Sequence, residues 1–347
     1  MAPIHSSLEN EVGRDGQVVD PALRNITSRA VCRYGLWEMA MGGSVSIEAE
    51  WFPRVSRAGY QKFPTVFRAR NHFEMALCLS YFADTTIPVE IEGLIPDWTG
   101  DKSLGEIERF EIFHGNQKIP LAELFRVTGD ASDRQIVLEG NVSGVHWIGA
   151  GMTCGSIQIE GAAGRHLGSG MRGGEIHVQG NVRDWVGAEM RGGLIRVDGD
   201  AGHEAGGAYR GSTRGMQGGM ILIKGNAGDE VGHTMRRGLI AVAGAAGDML
   251  AFNMIAGTVL VFGDCGSRPG AGMKRGTLGL FGPTRPLLLP SFRYGVTCHP
   301  QFLNLIFGAL RRHTFEIDDS LTDASFDLYH GDLVSLGRGE ILFRQPA

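Results

Sequence analysis

Four histidines, His166, His177, His203 and His233, fall close together in a glycine-rich stretch of the chain. Imidazoles gathered at one place would hold zinc, so their spacing is the first thing to test. Measured from the glycine that closes each strand-like phrase, they lie five, sixteen, four and eight residues on. No column of histidines follows, and a three-histidine metal site is not expected. Methionine gives the opposite result. Met152, Met171, Met190, Met216, Met235, Met254 and Met273 share one position, ten residues past that glycine or its equivalent beyond an insertion. Thioethers can bind copper(I), but a metal needs a local cluster rather than one ligand per repeat. A buried ladder of flexible, gap-filling side chains is the better reading.

The remaining chemistry is sparse. Five cysteines (Cys32, Cys78, Cys154, Cys265, Cys298) form an odd, scattered set without a C-x-x-C pair. They make neither a disulfide framework nor an iron–sulfur site. Asp200, Asp229, Asp248 and Asp264 come one per repeat, as turn formers rather than a catalytic pair. Gly168-x-Gly170-x-x-Gly173 matches a dinucleotide fingerprint only because glycine is so common, and no helix follows it. No catalytic, cofactor-binding or metal-ligating residue is therefore assigned.

What positions these residues is a repeat. The closing glycines are Gly140, Gly161, Gly180, Gly199, Gly225, Gly244, Gly263 and Gly282, mostly 19 residues apart, with two longer steps that read as insertions. Each phrase alternates with β-branched residues, as in Ile176-His-Val178 and Ile195-Arg-Val197. Strands this short, with no room for a crossover helix, stack in parallel. The predicted fold is all-β, a right-handed single-stranded parallel β-helix of about 19-residue turns, with small mixed capping elements at both ends. An 18-residue hexapeptide helix does not fit the period.

Two surface features suit a partner. The longer insertion carries Tyr209, Arg210, Thr213 and Arg214, residue types favoured at interface hot spots. Arg172, Arg191, Arg236, Arg237, Lys274 and Arg275 form a basic stripe that would meet an acidic partner. Asp184-Trp185 and His146-Trp147 stand near equivalent places and would pack a partner or cap a bend. A net charge of −5 gives no case for nucleic acid. No apolar run approaches a bilayer span, the N-terminus lacks a signal pattern, and the chain reads as cytoplasmic.

The run GMRGGEIHVQGNVRDWVGAEMRGGLIRVDGDAG, the loop GAYRGSTRGMQGG, PVEIEGLIPD and the C-terminal YHGDLVSLGRGEIL resemble the C subunit of formylmethanofuran dehydrogenase. They resemble still more closely its counterpart in the bacterial formyltransferase/hydrolase complex. The glycine-rich C-terminal domain of glutamate synthase is a more distant likeness. The resemblance implies a non-catalytic structural subunit in a hetero-oligomer with amidohydrolase-like, formyltransferase and molybdopterin-oxidoreductase-like subunits. The complex would move a formyl group between tetrahydromethanopterin and a methanofuran-type carrier and release formate. The carriers and metal ions would be held by the partners, and the basic stripe could meet a polyglutamate tail on the carrier. Two alternatives stay open: a tungsten or molybdenum formylmethanofuran dehydrogenase, or an enzyme with its own site on the rod.

Residues 1–74 carry no repeat and are expected to be a poorly ordered or mis-called extension, with a natural start at Met75. Residues 75–135 would form an N-terminal cap, with strands near Val89–Ile91 and Phe110–Phe113 and a helix near Leu121–Phe125. The β-helix repeats would occupy residues 136–282, and a C-terminal cap with a helix and a β pair residues 283–347. The helix, from Pro300 to His313, would use Phe302, Leu303, Leu305, Ile306 and Leu310 to cover the last rung.

Overall fold

A computed structural model describes residues 76–345. The expectations for residues 1–74 and for a start at Met75 lie outside them. The N-terminal part holds β1 (Leu77–Tyr81), β2 (Val89–Glu90), α1 (Pro96–Thr99), α2 (Leu104–Glu108), β3 (Glu111–His114), β4 (Gln117–Pro120) and β5 (Phe125–Thr128). The repeats supply β6 (Gln135–Glu139), β7 (Val145–His146), β8 (Ser156–Ile159), β9 (Glu175–Val178), β10 (Leu194–Val197), β11 (Gln217–Ile223), β12 (Arg237–Val242), β13 (Thr258–Val261) and β14 (Arg275–Leu280). Then come β15 (Arg293–Cys298), α3 (Gln301–Arg312), β16 (Phe326–Gly331) and β17 (Arg338–Arg344).

The molecule is mostly β. A 13-stranded sheet runs β15-β16-β17-β14-β13-β12-β11-β10-β9-β8-β6-β1-β5, parallel from β17 through to β1 and antiparallel at both margins. Register follows the repeat: Ile157 stands beside Ile176, Ile176 beside Ile195, and Ile195 beside Ile221. A second line of parallel bridges joins Ala163, Val182, Ala201, Ala227, Ala246 and Cys265 on the far side of the closing glycines. Each repeat thus bonds to the next at several places along its length, which satisfies backbone that bends too often to form a helix.

The inward residues of the strands and the seven ladder methionines fill one core. All seven methionines are fully buried, as a packing ladder requires. Beyond them, strand sequences change along the sheet. In β8 to β10 the outward position holds Gln158, His177 and Arg196; in β11 to β13 it holds Leu222, Ala241 and Leu260. The latter three join Leu303, Phe307 and Leu310 of α3, together with Phe281 and Phe315, in a second core.

This corrects the expected place of α3. The helix does not cover the last rung; it lies on the outward face of the later strands, where the pattern turns continuously apolar. Its buried face is Leu303, Phe307 and Leu310, while Leu305 is 78% exposed. The end of the parallel stack is closed by β17, which pairs with β14, and by the antiparallel β16 and β15. At the other end β1 pairs in parallel with β6, so the parallel sheet begins before residue 136.

Candidate functional site

One bend recurs in every repeat with a left-handed backbone on residues other than glycine. Trp147, His166, Trp185, Glu204, Glu230, Met249 and Arg268 have φ between 55° and 62°. An isolated residue of this kind would suggest local strain. Here the amide of each of the first six donates to the repeat that follows, for instance His166 N to the Asp184 carbonyl at 3.0 Å, so the bend belongs to the architecture.

The side chains at this bend stack. Trp147 and His166 rings lie 4.3 Å apart and nearly parallel, and His166 and Trp185 5.1 Å apart. The Trp185 indole donates to Glu204 at 2.8 Å. Tyr209, from the insertion, folds back over the stack. Its hydroxyl is 2.9 Å from His166 Nδ1 and 2.5 Å from the hydroxyl of buried Ser169. Burial, with His146 and Arg165 nearby, pushes the His166 imidazole down to about 4. Burial pushes the Tyr209 phenol up to about 12. His166 is therefore neutral at pH 7, with Nδ1 placed to accept from the tyrosine. Neither group is poised for acid–base work.

Several other titratable groups of the repeats are engaged with the neighbouring repeat. His146 Nδ1 accepts from Arg165 N at 2.9 Å, and Asp184 from His203 N at 3.0 Å. His203 accepts from Asp229 N, Asp229 from Asp248 N, and Asp248 from Ser267 N. On the outer face Asp198 binds His177 at 2.8 Å and Lys224 at 2.7 Å, while Arg196 pairs with Glu175. Burial would raise the Asp198 carboxyl, but Lys224 and His177 hold it below its ordinary range. Among the described residues no three of His, Cys, Asp and Glu are grouped so as to hold a metal ion.

The sequence-predicted surface residues divide. Tyr209 is half-buried against its own repeats, so it acts as a latch. Arg210 and Arg214 are exposed on the arm it anchors, as are Arg172, Arg191, Arg236 and Arg237. Sequence reasoning missed the aromatic stack because histidines were compared only with one another. The signal was present: Trp147, His166 and Trp185 stand 19 residues apart.

Comparison with known proteins fits this geometry. A family model for the GXGXG motif matches residues 127–285. One polypeptide of the solved formyltransferase/hydrolase complex (FhcABCD) from Methylorubrum extorquens, crystallised with methylofuran, superposes with a TM-score of 0.71 at 34% identity. The match covers 78% of this chain and 100% of that one. The C subunit of tungsten-containing formylmethanofuran dehydrogenase 2 from Methanothermobacter thermautotrophicus is 38% identical over 79 residues, or 22% of this chain. The chain belongs to the family of formylmethanofuran dehydrogenase C subunits. The C subunit of molybdenum-containing formylmethanofuran dehydrogenase 1 from Methanosarcina barkeri is 37% identical over 109 residues, 30% of this chain. The matches to these two relatives span only 29% and 36% of their own lengths. This member of the family, among its described residues, has no helix long and apolar enough to cross a membrane.

Proposed function

We propose that the chain is a right-handed, single-stranded parallel β-helix of about 19-residue turns that serves as a non-catalytic structural subunit of a formyl-transferring complex. The observation that carries this reading is the match to the whole length of one polypeptide of the formyltransferase/hydrolase complex. Two facts of the site support it. His146, His203 and several aspartates are spent as acceptors between repeats, and the two parallel ladders stack repeats much as turns of a coil would stack. The partners would be amidohydrolase-like, formyltransferase and molybdopterin-oxidoreductase-like subunits. They would hold the methanofuran-type carrier, tetrahydromethanopterin and metal ions, and Arg210 and Arg214 would offer one contact. A second reading, the C subunit of a tungsten or molybdenum dehydrogenase, is favoured by the names of the curated relatives.

The test is an affinity pull-down of tagged chain from its native cell. Eluate and separately expressed chain are both assayed for hydrolysis of the formylated carrier. Activity in the eluate alone, with co-purifying subunits, supports the structural role; activity in the isolated chain overturns it. A co-purifying subunit with a loaded tungsten or molybdenum centre selects the dehydrogenase.

A further inference from the structure

Backbone bonds resolve the basic stripe into two adjacent lines. The amides of Arg172, Arg191, Gln217, Arg236, Ile255 and Lys274 each donate to a ladder methionine of the preceding repeat, at 2.6 to 2.8 Å. These six residues therefore share one position. The neighbouring position carries Arg237, Arg275 and Arg338, the last two being register partners across β14 and β17. Arg338 thus extends the stripe, although nothing in the repeat spacing pointed to it.

Arg172, Arg191, Arg236, Arg237, Lys274, Arg275 and Arg338 are all exposed. None of them enters a salt bridge among the described residues, whereas Arg165, Arg196, Lys224, Arg285, Arg311 and Arg344 do. The uncharged members of the two lines include Gln217, Ile255, Gly192, Gly218 and Ala256, and no carboxylate interrupts them. In a chain of net charge −5, this edge thus carries a run of cations with no ion-pair partner among the described residues. At about 4.8 Å per repeat, the six steps from Arg172 to Arg338 span roughly 29 Å.

We propose that this track binds an acidic, extended segment of a partner polypeptide. Charge complementarity carries the assignment. Six of the seven cations are arginines, whose planar forks suit carboxylates in a way that a point charge does not. The length matches roughly nine residues of extended chain at about 3.3 Å each. A nucleic acid is the poorer match. No aromatic ring stands in either line to stack a base, and Trp147, Trp185 and Tyr209 are packed on one another at a different bend.

The test uses the full chain and a labelled twelve-residue peptide of alternating Glu and Ser, with binding read by fluorescence anisotropy in low and moderate salt. One variant carries Arg172→Glu, Arg191→Glu, Arg236→Glu and Lys274→Glu. A comparator carries the same change in charge at Arg109, Arg126, Arg268 and Arg312, all exposed and off the track. The expected result is salt-sensitive binding, weakened at least tenfold by the track variant and less than threefold by the comparator. Equal weakening by both overturns the proposal, because bulk charge alone would then explain the binding. Absence of peptide binding by the unaltered chain, or tighter binding of a twelve-nucleotide single-stranded DNA, overturns it as well. Should the track variant melt early, the same four positions changed to Gln replace it. None of these outcomes depends on which complex the chain serves.

Discussion

The methyl group of Met171 fills the space where Gly193, in the next repeat, would carry a β-carbon. That hypothetical atom would lie 2.7 Å from Met171 Cε and 2.8 Å from the Gly174 carbonyl, and Gly193 has a φ of +91°. Met152 and Gly174 are related in the same way, as are Met190 and Gly219. The ladder is therefore keyed, each methionine fitting a notch in the following repeat.

Gly193→Ala should destabilise the protein by about 2 kcal/mol or more, through both the left-handed backbone and the clash. Met171→Ala should cost about 2 to 5 kcal/mol by leaving a cavity. The double variant should not recover the loss, because the Gly174 carbonyl and the backbone conformation persist. Urea unfolding of the three proteins measures this; full recovery in the double variant would show that the methyl contact alone matters.

Tyr209 holds the inserted arm. Tyr209→Phe removes its bonds to His166 and Ser169 and should lower stability by about 1 kcal/mol. The sharper readout is proteolysis. Trypsin should cut after Arg210 and Arg214 faster in the variant than in the unaltered chain. Equal rates would mean that the hydroxyl does not hold the arm in place.

Acid should weaken the fold through the histidines. Burial, with Arg165 and Arg183 near, holds His146 below its ordinary 6.5, and burial takes His166 to about 4. The unfolded chain then binds protons more readily than the folded one, so this contribution is complete above about 6.5 and is lost as pH falls toward 4. Denaturation midpoints measured from pH 7 to pH 4 should decline, and His166→Gln should flatten that decline.

Asp248 accepts the Ser267 amide at 2.7 Å, much as Asn226 accepts Ala245 N at 2.9 Å. An amide oxygen can therefore replace the carboxylate. Asp248→Asn should melt within a degree or two of the parent, while Asp248→Leu should lose about 1 kcal/mol. Equal loss in both would show that the charge, and not the acceptor, is what counts.

Much of this was legible in the sequence because the repeat enforces one environment per position. Alternation in Ile176-His-Val178 told which way each side chain points, and aligned methionines told what fills the interior. The helix over 301–312 was legible within a residue or so at each end, but its seat was not. That information sat in another segment, where Ile221-Leu-Ile223 and Val259-Leu-Val261 abandon alternation because α3 covers their outer face. Phe302 was placed on the buried side of α3, yet Phe307 and not Phe302 packs there, since the apolar residues outnumber one face. The Tyr209 latch was illegible for a different reason. It joins residues 43 apart through a loop whose path no period describes.

The inserted arm leaves the stack at Ala208 and returns at Met216, and Ile195 still stands beside Ile221. Added length is thus shunted outside the ladder and does not disturb its phase. Such a molecule can change size over evolutionary time in two separable ways. Its span along the stack can grow or shrink only by whole repeats, since any other change would put methionines opposite the wrong glycines. Its girth can vary freely, one residue at a time, wherever an arm can emerge, so the partners it meets can diverge while the stack they rest on stays the same.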